Sequence, residues 1–359
     1  MSKVVMVVND TNFVWNLRRE VLQKLISEGY KVTLITQVMN FKDKLEEMGC
    51  KIINVNTGRQ GTNPLADISL FFTYLKALKT EKPDVVLTNN IKPNVYAGLA
   101  CQILGIKYMP NICGLGTPVE NPGPMQKFTM FLYKMGVRGC KTIFFQNEEN
   151  RLFFENHNIM PKKAKVIVTP GSGVNLKTYP VLEWPEGKVH FLFAARIMKQ
   201  KGIDLFLAAA RKYASENVIF DVCGQCDDEH YKEILQNEKS VRYHGLQSDM
   251  TPFYKTCSCF LYPSYYPEGM SNVLLEAAAS GRPVVAADRA GCRETVEDGK
   301  TGYLVPVNDE VAVLNAVEMF LKLSAEERKL MGLRGRAKVE REFDRKMVAQ
   351  IFADEVRGV

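Results

Sequence analysis

Glu268 and Glu276 stand in the spacing Glu-x7-Glu, with Gly269, Met270, Ser271, Asn272 and Val273 between them. An apolar and aromatic run, Cys259–Tyr262, reads as a strand and ends at Pro263, and the sequence predicts a helix from Asn272 to Ala279, stopped by Gly281. Ser271 suits the N-cap, where its hydroxyl can accept from a free first-turn amide. Gly269 lets the backbone come close to a ligand. A helix start at the carboxyl end of a strand favours an anion such as a diphosphate. Glu276 lies roughly 7 Å further down the helix, at 1.5 Å per residue. Ionised carboxylates accept from pairs of hydroxyls. A nucleotide-sugar laid across this stretch would therefore meet Glu268 at its sugar, residues 269–273 at its diphosphate and Glu276 at its ribose.

Two cations sit at a comparable place. The run Val189–Ala194 reads as a strand, Ile203–Tyr213 as a helix, and Arg196 and Lys201 flank the loop between them. Cations there can neutralise a departing diphosphate. The combination of Glu268-Gly269, Leu274-Leu275-Glu276-Ala277, Gly281-Arg282-Pro283-Val284-Val285 and Arg196-x4-Lys201-Gly202 resembles the retaining family 4 glycosyltransferases. Gly291-Cys292-Arg293-Glu294 is similar to the branch of that family that extends sugars on undecaprenyl-diphosphate carriers.

The resemblance implies an α/β protein of GT-B fold, two Rossmann-like domains with a cleft between them. It implies a nucleotide-sugar donor on the C-terminal domain, an acceptor on the N-terminal one, and transfer with retention. It brings Gly224 and Leu246 into the expected donor site, as backbone segments that border the base. No cofactor is expected. No Asp-x-Asp occurs, so no metal is expected either, and Arg196, Lys201 and the helix start would supply its charge. Many members carry a histidine at the edge of the first domain, where this chain reads Asn111-Ile112-Cys113-Gly114-Leu115-Gly116. A front-face mechanism, in which the leaving phosphate takes the acceptor proton, needs no such base. Glu268 would then orient the donor sugar.

The elements that must position these residues alternate strand and helix throughout, which predicts parallel sheets. The expected division is 1–175 for the acceptor domain, 176–340 for the donor domain, and 341–359 as a helix crossing back to the first. After the strand Val4–Val8, residues Asn9–Asn16 read as a loop and Leu17–Glu28 as a helix. Arg18 near that start, Lys92, Gly114 and Gly116 after strand ends, and Asn147 at the end of the strand Lys141–Gln146 are the expected acceptor ligands. Between 125 and 138 a helix would carry one stripe of Met125, Phe128, Leu132 and Met135 and another of Lys127, Phe131, Lys134 and Arg138, which suits a membrane interface.

Composition bounds the rest. The chain has 359 residues, 46% hydrophobic and 24% charged, in the range of a two-domain globular enzyme. Residues 1–170 carry 22 Lys and Arg against 13 Asp and Glu, a balance of +9 within a total of +7. That asymmetry points to an anionic partner such as a phospholipid surface or a lipid-linked diphosphate. No nucleic-acid motif accompanies it, so none is expected. The apolar start, Val4–Val8, is too short for a signal peptide and no run suits a transmembrane helix. Nine cysteines suggest reduced thiols in a cytoplasm. Cys223 and Cys226 have redox or metal spacing, but no second pair completes a zinc site, and the four histidines form no ligand pattern.

The expected protein is thus a cytoplasmic enzyme, peripheral on the inner face of the membrane. It would use a UDP-sugar donor, a UDP-N-acetylhexosamine or UDP-hexose, and a lipid-linked saccharide acceptor, in surface polysaccharide or glycan assembly. The alternatives are a nucleotide-sugar 2-epimerase of the same fold, a catalytically silent partner subunit of a membrane glycosyltransferase complex, and a soluble enzyme with a small acceptor. The motif residues argue against the first two, and the basic first half against the third.

Overall fold

The computed structural model describes residues 2–56, 64–116, 119 and 122–359. The chain forms two compact units. One comprises the residues up to Gly173 together with Pro267–Met270 and Arg345–Val359, and the other comprises Val174–Tyr266 and Ser271–Asp344.

The first unit holds strands β1 (Lys3–Asp10), β2 (Lys31–Gln37), β3 (Lys51–Asn54), β4 (Val85–Asn89), β5 (Lys107–Ile112), β6 (Thr142–Phe145) and β7 (Lys165–Val168). They pair in the order β3-β2-β1-β4-β5-β6-β7, all parallel. Val4 through Val8 are all buried, as expected of a strand covered on both faces. Val5, Val7, Val86, Ile112 and Phe145 feed one core layer, and Val4, Met6, Leu87 and Phe144 the other. The helix Arg345–Arg357 completes the second layer, with Phe352 stacked on Phe144 at 4.3 Å between ring centroids. Arg345 ties it down, donating to the carbonyls of Asn16, Ser172 and Gly173.

The second unit holds β8 (Val189–Ala194), β9 (Val218–Cys223), β10 (Arg242–Tyr243), β11 (Cys259–Tyr262), β12 (Val284–Ala287) and β13 (Gly302–Val305). These run parallel in the order β10-β9-β8-β11-β12-β13. Strand order reverses at β1/β4 in one unit and at β8/β11 in the other. Open α/β sheets leave a crevice for ligands at such points, beyond the carboxyl ends of the strands.

Some elements differ from the sequence expectation. Residues 11–16 are not a loop. A helix starts at Thr11, because Asp10 caps it by accepting from Phe13 N at 2.8 Å. Arg18, at φ −131°, separates it from a second helix, Arg19–Ser27. A π turn, Pro93–Ala97, opens the helical stretch that continues as Gly98–Leu104.

The helix Pro124–Val137 buries Thr129, Tyr133, Gly136 and Val137. It packs so closely that a Cβ on Gly136 would lie 2.6 Å from the Val95 Cα. Tyr108 Oη donates to Gly136 O at 2.7 Å. That face is inward, so Met125, Phe128, Phe131 and Met135 remain exposed together with Lys127, Lys134 and Arg138.

Candidate active site

At the switch point of the second unit, two loops leave neighbouring strand ends. One follows β8 and carries Arg196 and Lys201. The other follows β11 and leads towards the helix Asn272–Ala279. They are stitched together, since Tyr265 N and Ser264 Oγ both donate to Gln200 O, at 2.9 and 3.4 Å. Gly202, at φ +81°, fits between them only because it lacks a side chain, as a Cβ there would lie 2.4 Å from Pro263 O. Lys201 Nζ lies over the Tyr266 ring, 4.4 Å from its centroid. Arg196 is exposed.

The helix start differs in one respect from the expectation. Ser271 is the N-cap residue, but its hydroxyl caps nothing. Ser271 is fully buried, and both its Oγ and the Asn272 Oδ1 are buried without a hydrogen-bond partner. The backbone fixes this corner instead: Ser271 N donates to Gly291 O at 2.7 Å, and Gly291 N donates to Glu294 Oε2 at 2.7 Å. The Gly-Cys-Arg-Glu stretch therefore holds the helix start from behind and leaves the Ser271 hydroxyl uncommitted. Further down the helix, Tyr254 Oη donates to Glu276 Oε2 at 3.2 Å, which fixes the orientation of a half-buried carboxylate.

Gly224, at φ +147°, joins the ends of β8, β9 and β10. Its N–H donates to Gly245 O and its carbonyl accepts from Tyr243 Oη, at 2.8 and 2.9 Å. Leu246, just beyond, is 71% exposed. Beneath this edge the Asp221 carboxylate accepts from His190 Nδ1 and His244 Nε2, each at 2.8 Å. Burial pushes the Asp221 pKa up, but the two histidines outweigh it and hold the group below its ordinary value. A depressed folded pKa contributes stability above the unfolded pKa, and that stability is lost as pH falls through the folded one. Asp221→Asn is therefore expected to cost about 1–2 kcal/mol at pH 7. The gap to the wild type should narrow in acid below the carboxylate range, as read by urea unfolding at both pH values.

In the first unit, several expected acceptor ligands have other work. Arg18 is fully buried, and its guanidinium donates to Asn89 Oδ1, Leu17 O and Ser172 Oγ at 3.0, 2.8 and 2.7 Å, beside the Cys113 thiol. Burial lowers its pKa from the ordinary value, and Cys113 counteracts this. Arg18 thus braces the sheet end from within the first unit. Lys92 pairs with Asp67 at 3.0 Å.

Asn147 is buried, with Nδ2 donating to Gly269 O at 2.6 Å and Glu268 O at 3.2 Å, and Oδ1 accepting from Asn150 N at 2.8 Å. It therefore holds the Glu268–Gly269 turn and caps the helix Glu148–Asn156. Gly114, at φ +133°, passes so close that a Cβ there would lie 3.1 Å from Gly269 N, so its contact is with that turn. Gly116, at φ +75°, continues the same loop. Sequence reasoning missed the amide cluster behind it, in which Asn111 Nδ2 donates to Asn89 Oδ1 at 3.0 Å and Thr88 Oγ1 to Asn94 Oδ1 at 2.7 Å. The only signal was a run of asparagines at the ends of β4 and β5.

Among the described residues, no three His, Cys, Asp or Glu side chains cluster so as to hold a metal. All nine cysteines are free.

Residues 3–147 match the family described as glycosyl transferase 4-like, and residues 188–322 match glycosyl transferases group 1. The chain belongs to the family 4-like, group 1 glycosyltransferases. It is 26% identical, over 94% of each chain, to the N,N'-diacetylbacillosaminyl-diphospho-undecaprenol alpha-1,3-N-acetylgalactosaminyltransferase of Campylobacter jejuni. It is 24% identical, over 70% of each chain, to the UDP-Gal:alpha-D-GlcNAc-diphosphoundecaprenol alpha-1,3-galactosyltransferase of Escherichia coli. The glycosyltransferase also shares its fold with solved structures. One is a sucrose-phosphate synthase from Thermosynechococcus elongatus, with a TM-score of 0.81 at 18% identity, covering 100% of this chain and 99% of that one. Another is Anabaena HepE in complex with UDP and glucose, with a TM-score of 0.80 at 16% identity over 100% of both chains. The fold of the glycosyltransferase is GT-B, with a Rossmann-like parallel sheet in each unit.

Proposed function

We propose that this glycosyltransferase moves a sugar, with retention and without a metal, from a UDP-N-acetylhexosamine or UDP-hexose to a polyprenyl-diphosphate-linked sugar in surface polysaccharide or glycan assembly. The observation that carries the donor half is the helix start at Ser271 and Asn272. Two buried side-chain oxygens lack partners there, at a strand-order reversal with an exposed Arg196 on the adjoining loop. Buried polar atoms are rarely left unsatisfied without a reason, and a bound diphosphate and its sugar would supply one. In this reading Arg196 and Lys201 stabilise the departing diphosphate, Glu276 and the Gly224 and Leu246 segments hold the nucleoside, and Glu268 orients the donor sugar. The undecaprenyl-diphosphate sugars in the names of the two relatives support the acceptor class. Neither the epimerase nor the silent-subunit reading has an observation in its favour.

The acceptor's lipid would bring the enzyme to the cytoplasmic face of the membrane. Among the described residues, no helix is long and apolar enough to cross a membrane. Peripheral contact suits the helix Pro124–Val137, whose Phe128 and Phe131 are 56% and 57% exposed beside Lys127, Lys134 and Arg138. On the helix Pro64–Glu81, Leu65, Ile68 and Phe72 are also exposed.

The test is a screen of UDP-, GDP- and ADP-sugars with and without a polyprenyl-diphosphate sugar in anionic vesicles. One UDP-sugar is expected to release UDP, faster with the lipid acceptor and undiminished by chelator, and the product should keep the donor's anomeric configuration. The protein should float with anionic vesicles, and a Lys127→Glu, Lys134→Glu, Arg138→Glu variant should not. Absence of release from every donor would overturn the reading.

A further inference from the structure

The turn that carries Glu268 belongs by its contacts to the first unit, although the strand before it and the helix after it belong to the second. Three features of the first unit grip it. Asn147 Nδ2 donates to the carbonyls of Glu268 and Gly269. Gly114 passes against the Gly269 amide, and a Cβ on Gly269 would lie 2.3 Å from Gln146 Oε1 and 2.5 Å from Cys113 O. Met270 seats on Gly171, where a Cβ would lie 2.4 Å from the Met270 Cβ. None of these contacts involves the Glu268 carboxylate, so they hold the backbone of the turn.

From this geometry we infer that Asn147 is a positioning residue for Glu268, fixing the turn so that the carboxylate is aimed before the donor arrives. The inference rests on the proposed role of Glu268 at the donor sugar. Asn147 suits this task because an amide both donates and accepts. Its oxygen is fixed by the helix Glu148–Asn156, which it caps, so its nitrogen points in a set direction. A turn held by a side chain already locked by a cap is pre-organised, and misplacement of a reacting group by about 1 Å costs roughly 100-fold in rate.

The cap and the clamp can be separated. Asn147→Asp keeps an oxygen that caps equally well, but it loses the donor and sets a carboxylate against two carbonyls. Asn147→Ala loses both functions. Asn147→Asp is expected to melt within a degree or two of the wild type, to lose at least tenfold in kcat and to change the donor KM by less than threefold. Asn147→Ala should show the same kcat loss with a lower Tm. Gly269→Ala, which disturbs the same contact from the other side, should match Asn147→Asp in kcat. Glu268→Gln, measured alongside, separates the two levels. If it loses turnover while Asn147→Asp stays within twofold of the wild type, the positioning role is wrong and the reading of Glu268 stands. If Glu268→Gln itself keeps full turnover, the role of Glu268 falls, and the positioning role with it.

Discussion

Replacing either Arg196 or Lys201 by Ala is expected to lower kcat by about 10²- to 10³-fold, the loss typical when one pre-organised charge-stabilising donor is removed. Both residues flank the loop after β8, at the point where the sheet of the second unit reverses its order. The loop is held at Gln200 O by two donors from the neighbouring strand end, so the cations sit on a fixed backbone. Lys201 is further confined between rings, 4.4 Å from the Tyr266 centroid and 5.8 Å from that of Tyr262. Because both cations would act on the same diphosphate, the double variant should fall well short of the product of the two losses. Steady-state kinetics with thermal melts as a control would check this. Loss of kcat at unchanged Tm supports the assignment, and single variants with turnover near the wild type would remove both residues from the site.

The second large effect is on folding. Gly224→Ala would place a Cβ 1.7 Å from Ala195 O, at a φ of +147° that L side chains rarely adopt. The obstacle is main chain, at the end of β8, and cannot turn aside as a side chain would. Overpacking and backbone strain together should cost roughly 2–5 kcal/mol. The expected result is a clear drop in the urea midpoint at unchanged m-value. Since Gly224 N and O also bind the ends of β10, surviving activity should show weaker donor binding. A midpoint within error of the wild type would mean that the strand ends are looser than this packing implies.

The sequence reading and the structure agree most closely where one local pattern decides the matter. The helices Ile203–Tyr213 and Asn272–Ala279 have clear apolar periodicity, a strand just before the entry loop and a clean stop. The parallel sheets followed from strand and helix alternation and from strands apolar on both faces. The site was less legible where a polar residue had two possible uses. Arg18 and Asn147 lie beside strand ends, where ligands are expected, yet both meet groups 71 to 154 positions away in the chain. Residue type says that such a side chain needs partners, and only the tertiary fold says which. Ser271 shows the converse. Its type predicts a hydroxyl cap, but Glu294, acting through Gly291, fixes the corner by main chain and leaves the hydroxyl over. In the helix Pro124–Val137 the inward contact is made by Thr129, Tyr133, Gly136 and Val137, so Met125, Phe128 and Met135 are exposed along with the basic stripe.

The helix Arg345–Arg357 has a consequence for how the chain comes to be folded. It supplies Phe352 and Val348 to a core otherwise built from strands and helices near the other end of the sequence. During synthesis those early strands emerge first with the helix Arg19–Ser27, but the part of their second layer that Val348 and Phe352 fill waits until the second unit has been translated. A growing chain therefore carries a partly uncovered apolar sheet face while the residues between Gly173 and Arg345 are made. Transiently exposed apolar surface of this kind is what chaperones cover, so the first unit is expected to gain from one until its last helix arrives.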